Sequence, residues 1–191
     1  IRGALSLAVT IVFLMVSNTH AQTLINVNTG NGNKSGAAVI GSSGDNFNKF
    51  YPTNGIGGLI SDAYLVPLYD SANASTGAGM LMYNVGGEGN FSWGDELMDY
   101  YLSSTTTNLH IYVTNLSSTT NLFDLYLYGH GSNDADISLF DVSSASTYYG
   151  RKQTSSDAAW DSNATWSEDD NYVKFSDVAI PSGANLLIEV L

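Results

Sequence analysis

Phe123-Asp124-Leu125-Tyr126-Leu127-Tyr128, followed by Gly129-His130-Gly131-Ser132-Asn133-Asp134, decides the fold class. Phe123, Leu125 and Leu127 alternate with Asp124, Tyr126 and Tyr128. A period of two is the signature of a strand with one face on a core. The glycines on either side of His130 then end the strand and open a loop.

Working outward, the same alternation recurs. Leu109, Ile111 and Val113 point inward, with His110 and Tyr112 outward. Val173 and Phe175 mark a further strand, and Leu186, Ile188 and Val190 the last one. Residues 23–28 and 78–83 read as strands before the central one. Residues 63–69 read as an edge strand or a bulge, because Pro67 cannot donate to a ladder. Residues 137–142 change phase between Leu139 and Phe140, which predicts a bulge there. Residues 147–150 pair with them, and residues 151–170 read as a long polar loop. The aromatic segment 46–52 shows no period and reads as an ordered loop tucked against the sheets. Residues 95–102 are the one good helix candidate: Asp95 and Glu96 suit a helix N-terminus, and Leu97 and Tyr101 fall at helical spacing. Short strands between turn signals, with almost no helix, predict an all-β, antiparallel β-sandwich with one short helix.

The N-terminus has a different character. Arg2 precedes an apolar run over residues 5–16, and Thr19-His20-Ala21 is a small-residue site followed by Gln22. This pattern is that of a secretory leader cleaved after Ala21. The run of about a dozen residues falls short of the roughly 20 that a spanning helix needs. The expected organisation is therefore a signal peptide over 1–21 and a β-sandwich domain over 22–191. The start without Met, and the end inside the strand-like run Ile188-Glu189-Val190-Leu191, lead us to expect a piece of a longer reading frame, with its C-terminal end truncated.

Beyond Ala21 the chain keeps all 18 acids and five of its six bases, a formal charge of −13. Such a surface repels phosphate backbones and anionic lipid, which excludes nucleic acid and, once the leader is cleaved, a membrane as partners. There is no Cys, and a domain of this size has core enough without disulfides. With 12 Tyr, 19 Gly and few charges, the composition suits a secreted or cell-surface all-β protein.

The residues at 24–28, Gly36-Ala37-Ala38-Val39-Ile40-Gly41, Gly44-Asp45-Asn46-Phe47-Asn48, the stretch 123–131 and Asn171-Tyr172-Val173-Lys174-Phe175 together resemble one family. It comprises exported bacterial proteins, many from planctomycete- or verrucomicrobium-like organisms, that carry a galactose-binding-like or malectin-like β-sandwich. Many of them end in a sorting segment or continue into other modules. The resemblance implies a jelly roll and a carbohydrate-binding role, and it transfers no catalytic residue.

The chemistry-bearing residues agree with a binding module. Only His110 and His130 lie beyond the leader, and neither a nucleophile elbow nor a zinc-type His pair occurs. Gly86-Gly87-Glu88-Gly89-Asn90 reads as a loop without the Lys that a phosphate loop uses, and Glu88 would repel a phosphate. Asp95, Glu96 and Asp99 supply carboxylates of the kind a glycosidase needs, but at a helix start they read first as a solvated face. The ligand-binding candidates are the aromatic residues Trp93, Tyr128 and Trp160, together with His130. Tyr126 and Tyr128 form either a stacking surface or a face covered by a loop or helix. The loop tryptophans are either binding anchors or lids over the core edge. Asp134 and Asp136 are weak calcium candidates, and Glu168-Asp169-Asp170-Asn171 is a second oxygen-rich turn; neither matches an EF-hand loop. The expected function is carbohydrate binding through loop aromatics, with a glycan or polysaccharide as partner alongside further domains of the same polypeptide. The alternative is a structural or adhesive module, and a third reading is a polysaccharide-active enzyme.

Overall fold

The computed structural model describes residues 10–16, 23–51, 62–90, 96–104, 108–116, 122–129, 137–155 and 165–191. Their elements are β1 (Thr10–Val16), β2 (Leu24–Thr29), β3 (Asn48–Phe50), β4 (Ala63–Leu65), β5 (Gly79–Tyr83), β6 (Gly87–Asn90) and α1 (Glu96–Asp99). Then come β7 (Tyr100–Ser103), β8 (Leu109–Thr114), β9 (Leu122–Tyr128), β10 (Ser138–Ser144), β11 (Thr147–Thr154), β12 (Tyr172–Ala179) and β13 (Leu186–Val190).

Two sheets carry the fold, which is an all-β sandwich. The first has the order β12-β9-β1-β2-β3 and the second β11-β10-β13-β8-β5-β4, while β6 and β7 form a separate ribbon. All pairs are antiparallel except β2 with β3. Period two does the organising. Phe123, Leu125 and Leu127 of β9 meet Ile111, Phe140 and Ile188 of the other sheet in one buried core. At one edge β11 lies over β12: the Tyr149 hydroxyl donates to the Ala179 carbonyl (2.8 Å) and accepts from its N–H (2.9 Å). Next to that edge the sheets approach closely at Gly129, where an added Cβ would stand 2.5 Å from the Ser138 Cβ.

The first sheet is covered on its other face too. Leu24, Tyr126 and Tyr128 pack with Leu97 and Met98 of α1, with Val39, Ile40 and Phe47, and with Trp166. This second layer explains why every residue of β2 is buried rather than every other one.

Residues 10–16 of the leader-like run are paired as a strand: β1 pairs with β2 from Thr10↔Asn28 to Leu14↔Leu24, and with β9 from Thr10↔Tyr128 to Val16↔Leu122. Several expectations need correction. The helix is one turn, and β7 takes over at Tyr100. Tyr-Tyr-Leu suits a strand better than a helix, and β6 offers it a partner, Gly89 opposite Tyr101. The glycine-rich segment is therefore a strand rather than a loop, and its glycines leave room: a Cβ on Gly89 would collide with the Tyr101 ring. In β10 burial alternates without a break, so Leu139 points outward. Its irregularity falls between Val142 and Ser143, against β11. β11 runs on to Thr154 where the sequence reads as loop. Within 46–52, Asn48–Phe50 is a short parallel strand, with Phe50 buried in the core. The edge position expected for 63–69 is as read: β4 is the outermost strand, and the Val66–Pro67 peptide beyond it is cis.

Candidate functional site

The outward face of the second sheet collects the polar and aromatic side chains that alternation leaves out of the core. Register aligns them in rows. Tyr64 stands opposite Leu81, Leu81 opposite Tyr112, Tyr112 opposite Leu187, Leu187 opposite Ser143, and Ser143 opposite Tyr148. The next row runs Tyr83, His110, Glu189, Asp141, Arg151. Cross-strand neighbours on one face lie within reach of each other, and here they interact. The rings of Tyr83 and Tyr112 meet edge to face, with centroids 5.7 Å apart. His110 Nε2 lies 3.1 Å from Glu189 Oε1. Arg151 grips Asp141 with two bonds, Nε to Oδ1 at 2.9 Å and Nη2 to Oδ2 at 2.6 Å, and the Tyr148 hydroxyl donates to Oδ1 at 2.8 Å.

Over β5 and β8 the face hollows into an open cleft of ≈ 500 Å³, lined by Leu81, Tyr83, Asn84, His110, Tyr112 and Asn185. That size is in the range of small-molecule and sugar sites. Its walls combine two phenol rings and a Leu with two amides and an imidazole. Rings offer apolar faces with polar tips, and amides offer both a donor and an acceptor. Asn84 is held in place by a bond from its Nδ2 to the Asn108 carbonyl (2.9 Å). Tyr64 and Tyr148, at opposite ends of the aromatic row, are 61% and 60% exposed, so the face stays open to solvent along its length.

The charges on the face are mutually tied. The Arg151 guanidinium, hydrogen-bonded to Asp141, holds that carboxyl below the usual carboxylate range; burial opposes this, and Tyr148 assists it. The same bond to Asp141 pushes the Tyr148 phenol above its ordinary value. A carboxyl lowered in the folded state stabilises it above the unfolded value of about 3.9, and that contribution is lost as pH falls through the lowered value. Asp141→Asn is therefore expected to lower the urea midpoint at pH 7. The gap from the parent should close as the pH is taken below about 4. A gap that stays constant across that range would mean that the pair contributes nothing through charge.

Comparison with family models, with curated proteins and with solved structures returns no match. The site therefore stands on its own geometry.

Of the residues expected to bind ligand, only Tyr128 is described. Trp93, His130 and Trp160 lie outside the described residues, as do the calcium candidates Asp134 and Asp136. Tyr128 is not open to a ligand. It is 0% exposed, its ring meets Trp166 edge to face at 5.1 Å, and its hydroxyl accepts from the Val39 N–H at 3.3 Å. The covered-face reading of Tyr126 and Tyr128 is the one the structure takes. Trp166 packs over the same layer. The turn at 168–171 closes on itself: Asn171 Oδ1 accepts from the Ser167 N–H (3.0 Å), and its Nδ2 donates to the Thr165 carbonyl (3.2 Å). Among the described residues no three His, Cys, Asp or Glu side chains converge as metal ligands. The polar and aromatic cleft residues missing from the expected site are Tyr83, Asn84, His110, Tyr112 and Asn185. Alternation alone puts Tyr112 outward, and applied to 78–83 it does the same for Tyr83. Their meeting depends on β5 pairing with β8, which no local signal gives.

Proposed function

We propose that this chain is an exported, non-catalytic carbohydrate-binding domain whose ligand lies on the outward face of the second sheet. The observation that carries the reading is the cleft walled by the Tyr83 and Tyr112 rings, with Asn84, Asn185 and His110 around it. A sugar ring has an apolar face ringed by hydroxyls. Phenols serve the first, and amides and an imidazole serve the second. The galactose-binding-like resemblance supports the same class of ligand. The charge beyond Ala21 favours a neutral or mildly basic glycan over an acidic one. Calcium at Asp134 and Asp136 belongs to this reading only as an accessory, and a chelator is the control for it.

A glycan array of neutral polysaccharides tests the proposal. Binding is expected for the parent protein. Tyr112→Ala is expected to weaken it by about tenfold or more, because a few aromatic anchors carry most of the energy at a binding surface. Trp93→Ala and Trp160→Ala are the matching tests of the loops as anchors. No binding to any neutral polysaccharide by a folded sample would favour the structural or adhesive module. Turnover of a bound polysaccharide would favour the enzyme reading.

A further inference from the structure

We propose that the ligand is a single soluble chain of a neutral polysaccharide, laid across the strands along the row from Tyr64 to Tyr148, and not one sugar held in the cleft alone. The inference rests on the glycan reading above and deepens it in one respect, the length of chain that the face reads.

The track follows from the register. Six strands lie side by side in the second sheet, from β4 at one edge to β11 at the other. One residue of each stands in line: Tyr64, Leu81, Tyr112, Leu187, Ser143 and Tyr148. In β8, β13 and β10 these residues sit between buried neighbours, so they face away from the core. Tyr64 is exposed between Ala63 and Leu65, which pack on the core. Neighbouring strands are about 4.8 Å apart, so the row is roughly 24 Å long. The cleft occupies only its β5 and β8 part. A pyranose unit lengthens a chain by close to one strand spacing, so the row has room for about five units. Large apolar side chains open to solvent are few among the described residues: Tyr64, Val66, Tyr69, Leu122 and Tyr148. Two of these stand at the two ends of this one row. An exposed ring there offers an apolar platform with a polar tip, beyond the reach of a sugar seated in the cleft.

The neighbouring row selects the chemistry of the chain. It runs beside the first, about 6.8 Å further along the strands. Its charges are spent on each other: His110 lies against Glu189, and Arg151 against Asp141. The bonds to Asp141 use two of the five N–H groups of the Arg151 guanidinium, whose side chain is 52% exposed. An apolar stripe flanked by donors and acceptors without net charge matches a chain with apolar ring faces and hydroxyl edges. A charged chain would have to break these pairs. An extended peptide would add along a strand edge, where backbone groups are open, rather than cross the face. A sheet of six strands twists, so the row curves. That suits a chain free to follow it over the flat face of a crystalline polymer.

Titration calorimetry on the full chain tests this with unbranched neutral oligosaccharides, from disaccharide to hexasaccharide, in the gluco, manno, galacto and xylo series. In the series that binds, affinity is expected to rise with length, by about tenfold or more between disaccharide and pentasaccharide, and then to level off. Tyr64→Ala and Tyr148→Ala remove exposed rings on outermost strands, and circular dichroism checks that both fold. Each should weaken hexasaccharide binding by roughly fivefold or more, with a loss that grows with chain length. One affinity at every length, weakened by Tyr112→Ala, would overturn the track and leave the glycan reading standing. Losses from Tyr64→Ala and Tyr148→Ala that are absent, or equal at every length, would overturn these two residues as the ends of the track. Binding to a crystalline polymer with none to soluble oligosaccharides would overturn the single chain. No binding to any glycan by the folded protein would remove the glycan reading itself, and this inference with it.

Discussion

Tyr128→Ala is expected to destabilise the domain by about 3–5 kcal/mol, the range for removing a large buried ring. The ring is fully buried against Trp166 and packs with Leu97 and Met98, so its loss leaves a cavity between the first sheet and the layer over it. The hydroxyl contributes less. Tyr128→Phe removes the bond from the Val39 N–H and should cost about 1 kcal/mol. Urea denaturation of the two variants separates cavity from hydrogen bond. Glycan binding by folded Tyr128→Phe should equal that of the parent. A selective loss of binding with stability intact would return Tyr128 to the ligand site.

Leu125→Ala is expected to cost about 2–5 kcal/mol, from lost transfer energy plus the cavity left in a core that relaxes only partly. Leu125 is 0% exposed, and its Cα partners are Phe13 on one side and Phe175 on the other. Alternation makes the adjacent Tyr126 an outward residue, whose truncation should be mild. The second layer changes that expectation. Tyr126 is 7% exposed, 6.0 Å from the Tyr172 ring, and Lys174 Nζ lies 5.4 Å from its own ring centroid. Tyr126→Ala is accordingly expected to fall in the same range as Leu125→Ala. A Leu125→Ala cost below about 1 kcal/mol would contradict the placement of β9 at the centre of the core.

The sequence makes the strands legible wherever one face meets the core and the other meets water. β8 and β13 are of this kind, and their inward residues are those that alternation picks; β9 alternates in sequence too, but its Tyr126 and Tyr128 are buried under the second layer. It is less informative where both faces are covered. β2 is buried at every position, Asn26 and Asn28 included, because loop residues lie over it. The helix ends sooner than its sequence predicts for a related reason: Leu97 and Tyr101 fit a helical period, but β6 supplies a ladder for Tyr101 and Leu102, and pairing wins over a weak local preference. The leader-like run shows a different limit. Six apolar residues after Thr10 belong to the run that carries the signature of an export signal and also form a central strand, and composition does not separate the two. Among the described residues, none of those expected to bind ligand lines the cleft. His110 and Tyr112 read as outward, but the cleft needs Tyr83 beside Tyr112 and Asn185 nearby, and sheet order brings these together from positions far apart in sequence. By sequence alone Trp93 and Trp160, which lie outside the described residues, stand out more than the tyrosines on strands.

The central claim is that the outward face of the second sheet holds the glycan. Titrating a ¹⁵N-labelled sample with the best neutral oligosaccharide from the array, followed by amide chemical shifts, tests it most directly. The account predicts shifts that concentrate at Leu81 and Tyr83, His110 and Tyr112, Asn185, and Leu187 and Glu189. Shifts confined to other segments, with these amides unmoved at saturation, would contradict it.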